Sequence, residues 1–472
     1  MRLEENMSEY EAQSAPETTR IEKSSVSRIH SMIDLFAGCG GLSLGFENAG
    51  FTPVFVNELN QDALSTYLLN REHSLGGIAF SDNAALHSND AHELEGKRLE
   101  QLQSDLSNIH ELDLHFEHAE EDESGLDIIA GGPPCQGYSG IGHRRSYGVD
   151  KKDLPSNTLY VRMVQIIKTL RPKIFLFENV RGLLNSRWTQ GGSNLIWPDV
   201  LAEFRSIRGY EVRWNLVHAR DYGVPQNRPR VLLVGIRRDI VGSSQQLNPR
   251  ADTEDAIKCG FLPPPQANNW PHLYELLGDL IDPKIPDILA SGDFPSGTFE
   301  TTKYPHRAMT PIQKHLRSAP PWWEINRTVQ LTEQEYSRHS RKVFAKFSAM
   351  LQNGGTIPEE FKTKKFSQRL LPAQWGLEGP TITVTSMPDD YVHFSQPRTL
   401  TVREWARIQL FPDWYRFAGK RTTGGIRRAG NPLEGIFDRE VPKYTQIGNA
   451  VPVGLAEKVG NHLKSIIDEV SR

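Results

Sequence analysis

The sequence predicts an α/β fold: an open sheet covered by helices, then a smaller irregular region, then a return of the chain to the sheet. Over residues 31–239, short apolar runs that end in glycine or an acid alternate with helical patterns, which is typical of parallel βαβ units. Over residues 240–375, prolines cluster and this alternation disappears. Regular patterns resume over residues 376–472, whereas residues 1–30 are polar without an apolar period and predict a disordered leader.

Composition limits the class of protein. With 472 residues, 38% of them apolar, the chain can bury a large core in about two domains. Its net charge of −4 does not by itself indicate a nucleic-acid partner. No run approaches the ~18 apolar residues of a membrane span, and there is no secretory signal pattern. The cysteines Cys39, Cys135 and Cys259 are too widely separated for a disulfide framework or a zinc cluster, so we expect a reducing, intracellular setting and no metal.

The first predicted βα unit carries a glycine-rich turn. A strand over residues 32–36 leads into Gly38, Gly40 and Gly41, and a helical pattern follows. Amide groups at a helix start can bind a polar ligand, although an ordinary tight turn has the same pattern. A second strand, 53–57, ends in Glu58, where an acid commonly binds the hydroxyls of a ribose. Together these features favour an adenosine-type cofactor.

A third strand, with a weaker apolar signal, is predicted to end at Asn89 and Asp90, where an acid could meet an adenine ring. Between these strands and the next one, residues 111–127 hold eight acids and no Lys or Arg. Such a run is typical of a solvated loop, and we assign it no function.

The stretch 131–139 places a cysteine on a stiff turn at the carboxyl end of a strand. It reads Gly-Gly-Pro-Pro-Cys-Gln-Gly-Tyr-Ser and follows the apolar run 128–130. Two prolines fix φ before Cys135, and the flanking glycines let a ligand approach closely. The thiol is therefore predicted to be presented rather than buried. A mobile basic loop is predicted to follow it, containing His143, Arg144 and Arg145.

Further charged groups are predicted near the same edge of the sheet. A strand over 173–177 ends in Glu178, for which a capping or surface acid is the alternative interpretation. Arg228 and Arg230 lead into a strand at 231–236 and are either surface charges or an anion clamp.

These groups suit the chemistry of a nucleophilic thiol. A thiolate can add to an electron-poor ring carbon, but a free cysteine is only a few per cent ionised at neutral pH and needs electrostatic help. A carboxylic acid on a ring nitrogen would accelerate that addition by about 10²- to 10⁴-fold. Addition at C6 of cytosine makes C5 nucleophilic enough to take a methyl group from a sulfonium. A stacked cytosine must first be flipped out of its duplex, at a cost of a few kcal/mol.

The local charge of the irregular region differs from that of the whole chain. Residues 301–370 hold thirteen Lys and Arg against five Asp and Glu, with interleaved aromatic residues. This pattern is typical of a nucleic-acid-binding face, and a merely solvated basic surface is the alternative. Beyond it, Thr401 and Glu404 form a capping-box pattern that predicts a helix to about Leu410. A last helical pattern after Pro452 predicts a terminal helix on the sheet of the first domain.

Seven motifs, in order, resemble those of the DNA (cytosine-5)-methyltransferases of the bacterial restriction-modification type. They are DLFAGCGGLSLGFENAGF (34–51), NEL (57–59), GGPPCQGYS (131–139), FENV (177–180), YGVPQNRPRVLLVG (222–235), RTLTVREWARIQLFPD (398–413) and QIGNAVPVGLAEKVG (446–460). The resemblance implies a Rossmann-like S-adenosylmethionine-dependent methyltransferase sheet over 31–239, a target-recognition region at 240–375 and a C-terminal return to the catalytic domain at 376–472. It also implies methyl transfer from S-adenosylmethionine to C5 of a flipped cytosine in a specific sequence of double-stranded DNA.

The resemblance assigns roles residue by residue. Cys135 would be the nucleophile, Glu178 would contact N3 and the amino group of cytosine, and Arg228 and Arg230 would lie near the flipped base. The residues implied to line the S-adenosylmethionine pocket are Phe36, Gly38, Gly41, Glu58, Asp90, Pro134, Leu159, Asn449 and Ala450. The residues expected to contact DNA are Ser139, His143, Arg144, Arg145, Thr328 and Val329. The spacer before Asp90 is longer than the family pattern, and Cys39 and Cys259 match no family role and are interpreted as small apolar fillers.

Two rival functions stay open on the sequence. A tRNA cytosine-5 methyltransferase shares the Pro-Pro-Cys turn, but the large basic region favours DNA. A catalytically inactive DNA-binding relative is disfavoured by the presence of Cys135, Glu178 and Arg230. We expect a monomeric, cytoplasmic enzyme that acts on the DNA of a bacterial nucleoid, with a restriction endonuclease for the same site as a candidate partner and no membrane.

Overall fold

A seven-stranded sheet lies at the centre of the protein. The computed structural model describes residues 29–116, 125–134, 158–188, 193–248, 253–266, 271–320, 322–323, 327–362, 368–373, 391–423 and 440–471. The strands of that sheet in chain order are β1 (His30–Leu35), β2 (Phe51–Asn57), β5 (His87–Ser88), β6 (Ile128–Gly131), β7 (Ile174–Val180), β8 (Tyr210–His218) and β9 (Pro229–Arg237). Two small pairs lie outside it, namely β3 (Ser74–Leu75) with β4 (Ile78–Ala79), and β10 (Arg369–Leu370) with β11 (Tyr391–Val392).

The order of the sheet is β5-β2-β1-β6-β7-β9-β8. All neighbours are parallel except β9, which is antiparallel to both β7 and β8. The chain leaves β1 toward β2 on one side and later returns to place β6 on the other side. The order of the strands therefore reverses between β1 and β6, where Leu35 pairs with Gly131. Open α/β sheets bind ligands at the carboxyl ends of the strands beside such a reversal.

Helices cover both faces of the sheet. The helices in the described part of the chain are α1 (Gly41–Asn48), α2 (Gln61–Leu69), α3 (Gly96–Ser107), α4 (Leu159–Leu170), α5 (Ile196–Arg205), α6 (Arg238–Ser243), α7 (Leu273–Leu277), α8 (Ile285–Ser291), α9 (Pro311–Leu316), α10 (Arg341–Gln352), α11 (Val402–Ile408), α12 (Lys443–Asn449) and α13 (Val453–Val470). Successive strand residues point to opposite faces, so Ile129 joins the core under α2 to α5 while Ile128 joins the core under α1 and α13. This double coverage explains why the strands read as continuous apolar runs.

The predicted strands at 32–36, 53–57, 128–130, 173–177 and 231–236 are confirmed as β1, β2, β6, β7 and β9, and the Rossmann-like α/β class is confirmed with them. The third strand is confirmed in position but is only two residues long. The capping box is also confirmed, because Glu404 N donates to Thr401 Oγ1 at 3.1 Å and Thr401 N donates to Glu404 Oε2 at 2.9 Å. Residues 1–28 of the predicted leader lie outside the described residues.

The terminal helix returns to the first strands, as predicted. Val459 and Leu463 of α13 share one core with Ile128 and Ile174 of the sheet. The approach of α13 to α1 is very close at Gly45, where a Cβ atom would lie 2.4 Å from the Cβ of Ala456. Only a glycine permits this helix contact.

A third core joins the irregular region to the C-terminal return. Leu273 and Leu276 of α7 pack in it together with Trp405 of α11 and with Tyr415 and Tyr444. The boundaries predicted at residues 239 and 375 stay a prediction. Within the residues that the structure describes, no helix is both long enough and apolar enough to cross a membrane.

One interpretation of the acidic stretch 111–127 is wrong. Asp127 is not part of a solvated loop but is fully buried at the start of the strand β6. Its carboxylate accepts hydrogen bonds from Ser31 N at 3.0 Å and from Lys173 Nζ at 2.6 Å. Burial of this acid is possible because Lys173, directly before β7, neutralises its charge. Residues 117–124 lie outside the described part of the chain.

Candidate active site

The glycine-rich turn between β1 and α1 forms one wall of the site. Phe36 and Gly38 have φ of 57°, and Gly40 has φ of 82°, all in the left-handed region. A non-glycine residue rarely adopts this conformation, so the turn stores strain at Phe36. A Cβ atom at Gly38 would meet nothing within 4 Å, so the space beside this residue is open. The turn can therefore bring its backbone close to a ligand.

Glu58 fixes this turn from the end of β2. Its Oε2 accepts a hydrogen bond from Gly38 N, and its Oε1 accepts one from Asn60 N, both at 2.8 Å. Burial raises the pKa of Glu58 above 4.5. Each carboxylate oxygen has two lone pairs, so each retains an acceptor position after these bonds. That acceptor pair is what the two hydroxyls of a ribose require.

Leu59 was not identified from the sequence as a site residue. It follows Glu58 directly, and 73% of its surface is exposed. An exposed leucine beside a half-buried carboxylate offers an apolar surface for an aromatic ring such as adenine. The only signal for it was an apolar residue directly after a strand-ending acid.

Asp90 lies at the same edge of the sheet. The strand β5 pairs with β2 through Ser88 and Asn57, and Asp90 follows two residues later. The side chain of Asn57 fixes this connection by donating to Ser88 Oγ at 2.8 Å and to Asn89 O at 3.0 Å. The β3 and β4 hairpin occupies part of the long spacer, so the extra residues do not displace Asp90 from the neighbourhood of Glu58.

The other predicted cofactor residues come from distant parts of the chain. Ala450 packs on the start of α1, because a Cβ atom at Gly41 would lie 3.0 Å from its Cβ and 2.5 Å from Val451 O. Asn449 is exposed at the end of α12. Leu159 is buried as the first residue of α4, and Pro134 is the half-buried last described residue of its turn.

A carboxylate and a guanidinium form the second wall. Glu178 on β7 and Arg230 on the neighbouring β9 form an ion pair through Oε1 and Nε. Only 8% of Glu178 and 6% of Arg230 is exposed. A Cβ atom at Gly132 would lie 2.7 Å from Glu178 Oε2, so this glycine lets the carboxylate lie directly against the turn that leads to Cys135.

Asn179 supports this wall and was not predicted from the sequence to be a site residue. It is 3% exposed, and its Nδ2 donates to Pro133 O at 3.1 Å. Its Oδ1 accepts a hydrogen bond from Val180 N at 2.9 Å. Asn179 therefore ties the Pro-Pro turn to the end of β7. The signal for it in the sequence was an amide residue directly after Glu178.

Arg228 is placed differently from Arg230. It is 3% exposed, and its Nη2 donates to Gly448 O at 2.5 Å. Arg228 thus holds the end of α12, next to Asn449, against the segment before β9. The predicted catalytic role of Arg228 stays a prediction.

The predicted nucleophile Cys135 lies outside the described residues. So do four of the predicted DNA contacts, namely Ser139, His143, Arg144 and Arg145.

Thr328 is exposed and Val329 packs against the third core. The preceding residue, Arg327, pairs with Glu72 at 2.8 Å. Next to Glu72, His73 contacts Pro53 O near the start of β2. The role of Thr328 and Val329 in reading DNA stays a prediction.

The fold and the site together define a class of protein. It is an α/β enzyme with an open sheet. On one side of the strand reversal, Glu58 and the glycine-rich turn suit an adenosine-type cofactor. On the other side, Glu178 and Arg230 provide a carboxylate and a guanidinium. The sequence model of the C-5 cytosine-specific DNA methylases matches residues 30–465, so the chain belongs to that family. It is a DNA cytosine-5 methyltransferase, and S-adenosylmethionine is its methyl donor.

Individual relatives agree with this assignment. The chain is 29% identical over 454 residues to the type II methyltransferase M.DdeI of Desulfomicrobium norvegicum, covering 93% of this chain and 90% of that protein. It is 28% identical to the type II methyltransferase M.BspRI of Lysinibacillus sphaericus, covering 92% and 81%. A solved structure assigned as a DNA modification methyltransferase encoded within a prophage (E. coli) has a TM-score of 0.60 at 21% identity, covering 93% of this chain and 99% of that chain. That likeness supports the fold.

Proposed function

We propose that this enzyme methylates C5 of a cytosine that is flipped out of a specific DNA sequence, through a covalent bond between Cys135 Sγ and C6. The observation that carries the proposal is the pair formed by Glu178 and Arg230, which lies against Gly132 on the turn leading to the cysteine. A nucleophile, an acid and a cation would thus meet at one edge of the sheet.

Glu178 is proposed to act on the base. Its carboxyl group would contact N3 and the amino group of cytosine and draw electrons toward N3 while Cys135 adds to C6. Arg230 would keep that carboxyl group in place through the ion pair. Asn179 would keep the cysteine turn at its distance from the base by holding Pro133 O.

In the proposed reaction, attack of the Cys135 thiolate on C6 turns the C5–C6 double bond into a nucleophilic C5. S-adenosylmethionine, when bound, supplies a methyl group made electrophilic by its sulfonium. After C5 has gained the methyl group, loss of the C5 proton restores the double bond and expels the thiolate.

The chain has residues that fit the cofactor. Glu58 would accept hydrogen bonds from the ribose hydroxyls, Leu59 and Asp90 would contact the adenine, and the open backbone at Gly38 would lie along the cofactor. Phe36, Gly41, Pro134, Leu159, Asn449 and Ala450 are proposed to complete the pocket.

We further propose that region 240–375 binds and reads the DNA. Its excess of Lys and Arg over residues 301–370 would neutralise phosphates and offset the cost of flipping the base. Ser139, His143, Arg144, Arg145, Thr328 and Val329 are the candidate contacts. Because the relatives are type II methyltransferases, we propose that a restriction endonuclease acts on the same site in the same bacterial cytoplasm.

Transfer of labelled methyl groups to duplex DNA and to tRNA tests the proposal. We expect incorporation into DNA, absent in Cys135→Ala, and a covalent adduct of the wild-type chain with DNA that contains 5-fluorocytosine. Cys259→Ala is the matched control, because Cys259 is fully buried in the core under α1 and α13 and should leave transfer intact. Methylation of tRNA alone, or an active Cys135→Ala variant, would contradict the proposal.

A further inference from the structure

Tyr415 reaches the glycine-rich turn from a remote part of the chain. It lies beyond α11, is completely buried, and donates a hydrogen bond from its hydroxyl to Cys39 O at 2.6 Å. Cys39 stands between Gly38 and Gly40 in the turn. The two residues are 376 positions apart in sequence, so no local pattern links them.

A second side chain supports this contact. Arg71 is 3% exposed and donates from Nη1 to the hydroxyl of Tyr415 at 3.4 Å. Its Nη2 pairs with Glu47 on α1 at 2.7 Å, and its guanidinium lies 3.4 Å from the ring centre of Tyr67. Arg71 therefore fixes the Tyr415 hydroxyl relative to both α1 and α2.

Gly40 shows how tightly the turn is pressed against this group. A Cβ atom at position 40 would lie 2.8 Å from the Tyr415 hydroxyl, 2.9 Å from Tyr67 Cδ2 and 3.0 Å from Arg71 Nη2. Together with the φ of 82°, this contact explains why the position requires glycine.

The backbone around Tyr415 is itself docked on α2. Arg416 N donates to Asn70 Oδ1 and Asn70 Nδ2 donates to Arg416 O, both at 2.8 Å. Ala418 N donates to Thr66 Oγ1 at 2.8 Å. On its other side, the Tyr415 ring packs in the third core, which includes helix α7 of region 240–375. Tyr415 thus connects that core to the turn.

We propose that Tyr415 is a positioning residue for S-adenosylmethionine. The turn is held from two sides, because Glu58 binds Gly38 N and Tyr415 binds Cys39 O. Removing the second bond lets the turn relax away from the conformation that faces the cofactor. The inference rests on the proposed placement of the cofactor beside Gly38 and Glu58.

The variant Tyr415→Phe keeps the ring and removes only the hydroxyl. We expect its affinity for S-adenosylhomocysteine to fall about tenfold, the scale of one lost buried hydrogen bond. The KM for S-adenosylmethionine should rise by a similar factor, while kcat at saturating cofactor and the affinity for duplex DNA stay near the wild-type values.

Tyr210→Phe is the matched control. Tyr210 is 4% exposed, and its hydroxyl donates to a backbone carbonyl, that of Pro172, at the start of β8 on the far side of the sheet. Its loss should lower the melting temperature as much as the loss at Tyr415 without weakening cofactor binding.

Calorimetric titration of the full-length proteins with S-adenosylhomocysteine decides the question. An affinity of Tyr415→Phe within twofold of the wild type, or an equal weakening in Tyr210→Phe, overturns the proposal. The affinity of the wild-type chain, measured in the same series, tests the cofactor assignment separately, so that failure of either hypothesis is recognised by itself.

Discussion

The absence of a side chain at Gly132 leaves room for the Glu178 carboxylate, and Gly132→Ala should displace that carboxylate. The added Cβ would lie 2.7 Å from Glu178 Oε2, whereas ordinary contacts begin at 3.4 Å, so the carboxylate must retreat by roughly 0.7 Å. Glu178 is also paired with Arg230, so the retreat disturbs the ion pair as well. A catalytic group misplaced by about 1 Å can cost about 10²-fold in rate, which is about 2.7 kcal/mol of activation free energy. We therefore expect methyl transfer to slow by about 10²-fold.

The variant should still fold, because Gly132 does not have a positive φ and the contacted atom ends a side chain, although the disturbed ion pair lowers its stability. Single-turnover transfer of labelled methyl groups to duplex DNA measures the rate, and thermal melting measures stability. Gly242→Ala is the control, since a Cβ atom there meets nothing within 4 Å. A Gly132→Ala rate within about threefold of the wild type would refute the reasoning, and so would an equal loss in Gly242→Ala.

Two further predictions concern buried or half-buried carboxylates. Glu404→Gln leaves the buried Arg398 without a counter-charge, so it should lower the free energy of unfolding, measured in urea, by about 3–5 kcal/mol. A loss under about 1 kcal/mol would contradict this. Burial alone would raise the pKa of Glu404, but Arg398 lowers it to about 2, so the stabilisation present above pH 4.5 should be lost as the pH falls toward about 2. Burial raises the pKa of Glu58, so this carboxylate is protonated at a higher pH than an exposed glutamate. The affinity for S-adenosylhomocysteine should therefore already weaken at that higher pH when the solution is acidified. Calorimetry over a pH series checks this, and Glu58→Gln should remove most of the pH dependence.

The sequence predicted the central strands because strands buried on both faces read as uninterrupted apolar runs. It predicted β5 only weakly, since this strand consists of His87 and Ser88 and has no apolar run. It misjudged Asp127, which follows a run of acids ending at Glu123 but pairs in space with Lys173. A local charge pattern predicts solvent exposure correctly only where no distant part of the chain packs over that segment.

The same limit applies to the site. Glu58 and Glu178 were predictable because Glu58 directly follows β2 and Glu178 lies near the carboxyl end of β7, at one edge of the sheet. Tyr415 was not, because its contact with Cys39 depends on how α11 packs in three dimensions. From the sequence alone, Arg398 and Arg407 would be predicted to be exposed. Both are buried, because Glu404, Asp279 and Asp413 neutralise their charges.

The contact between α1 and α13 has a consequence for synthesis of the protein. At about 5–20 residues per second, the roughly 400 residues between these helices take a ribosome roughly 20–80 s to add. During that interval the apolar residues of α1 lack the contacts that α13 supplies, so the core shared by α1 and α13 cannot be completed on the nascent chain. This core is therefore finished late in synthesis, once α13 has emerged and can pack on α1 at Gly45.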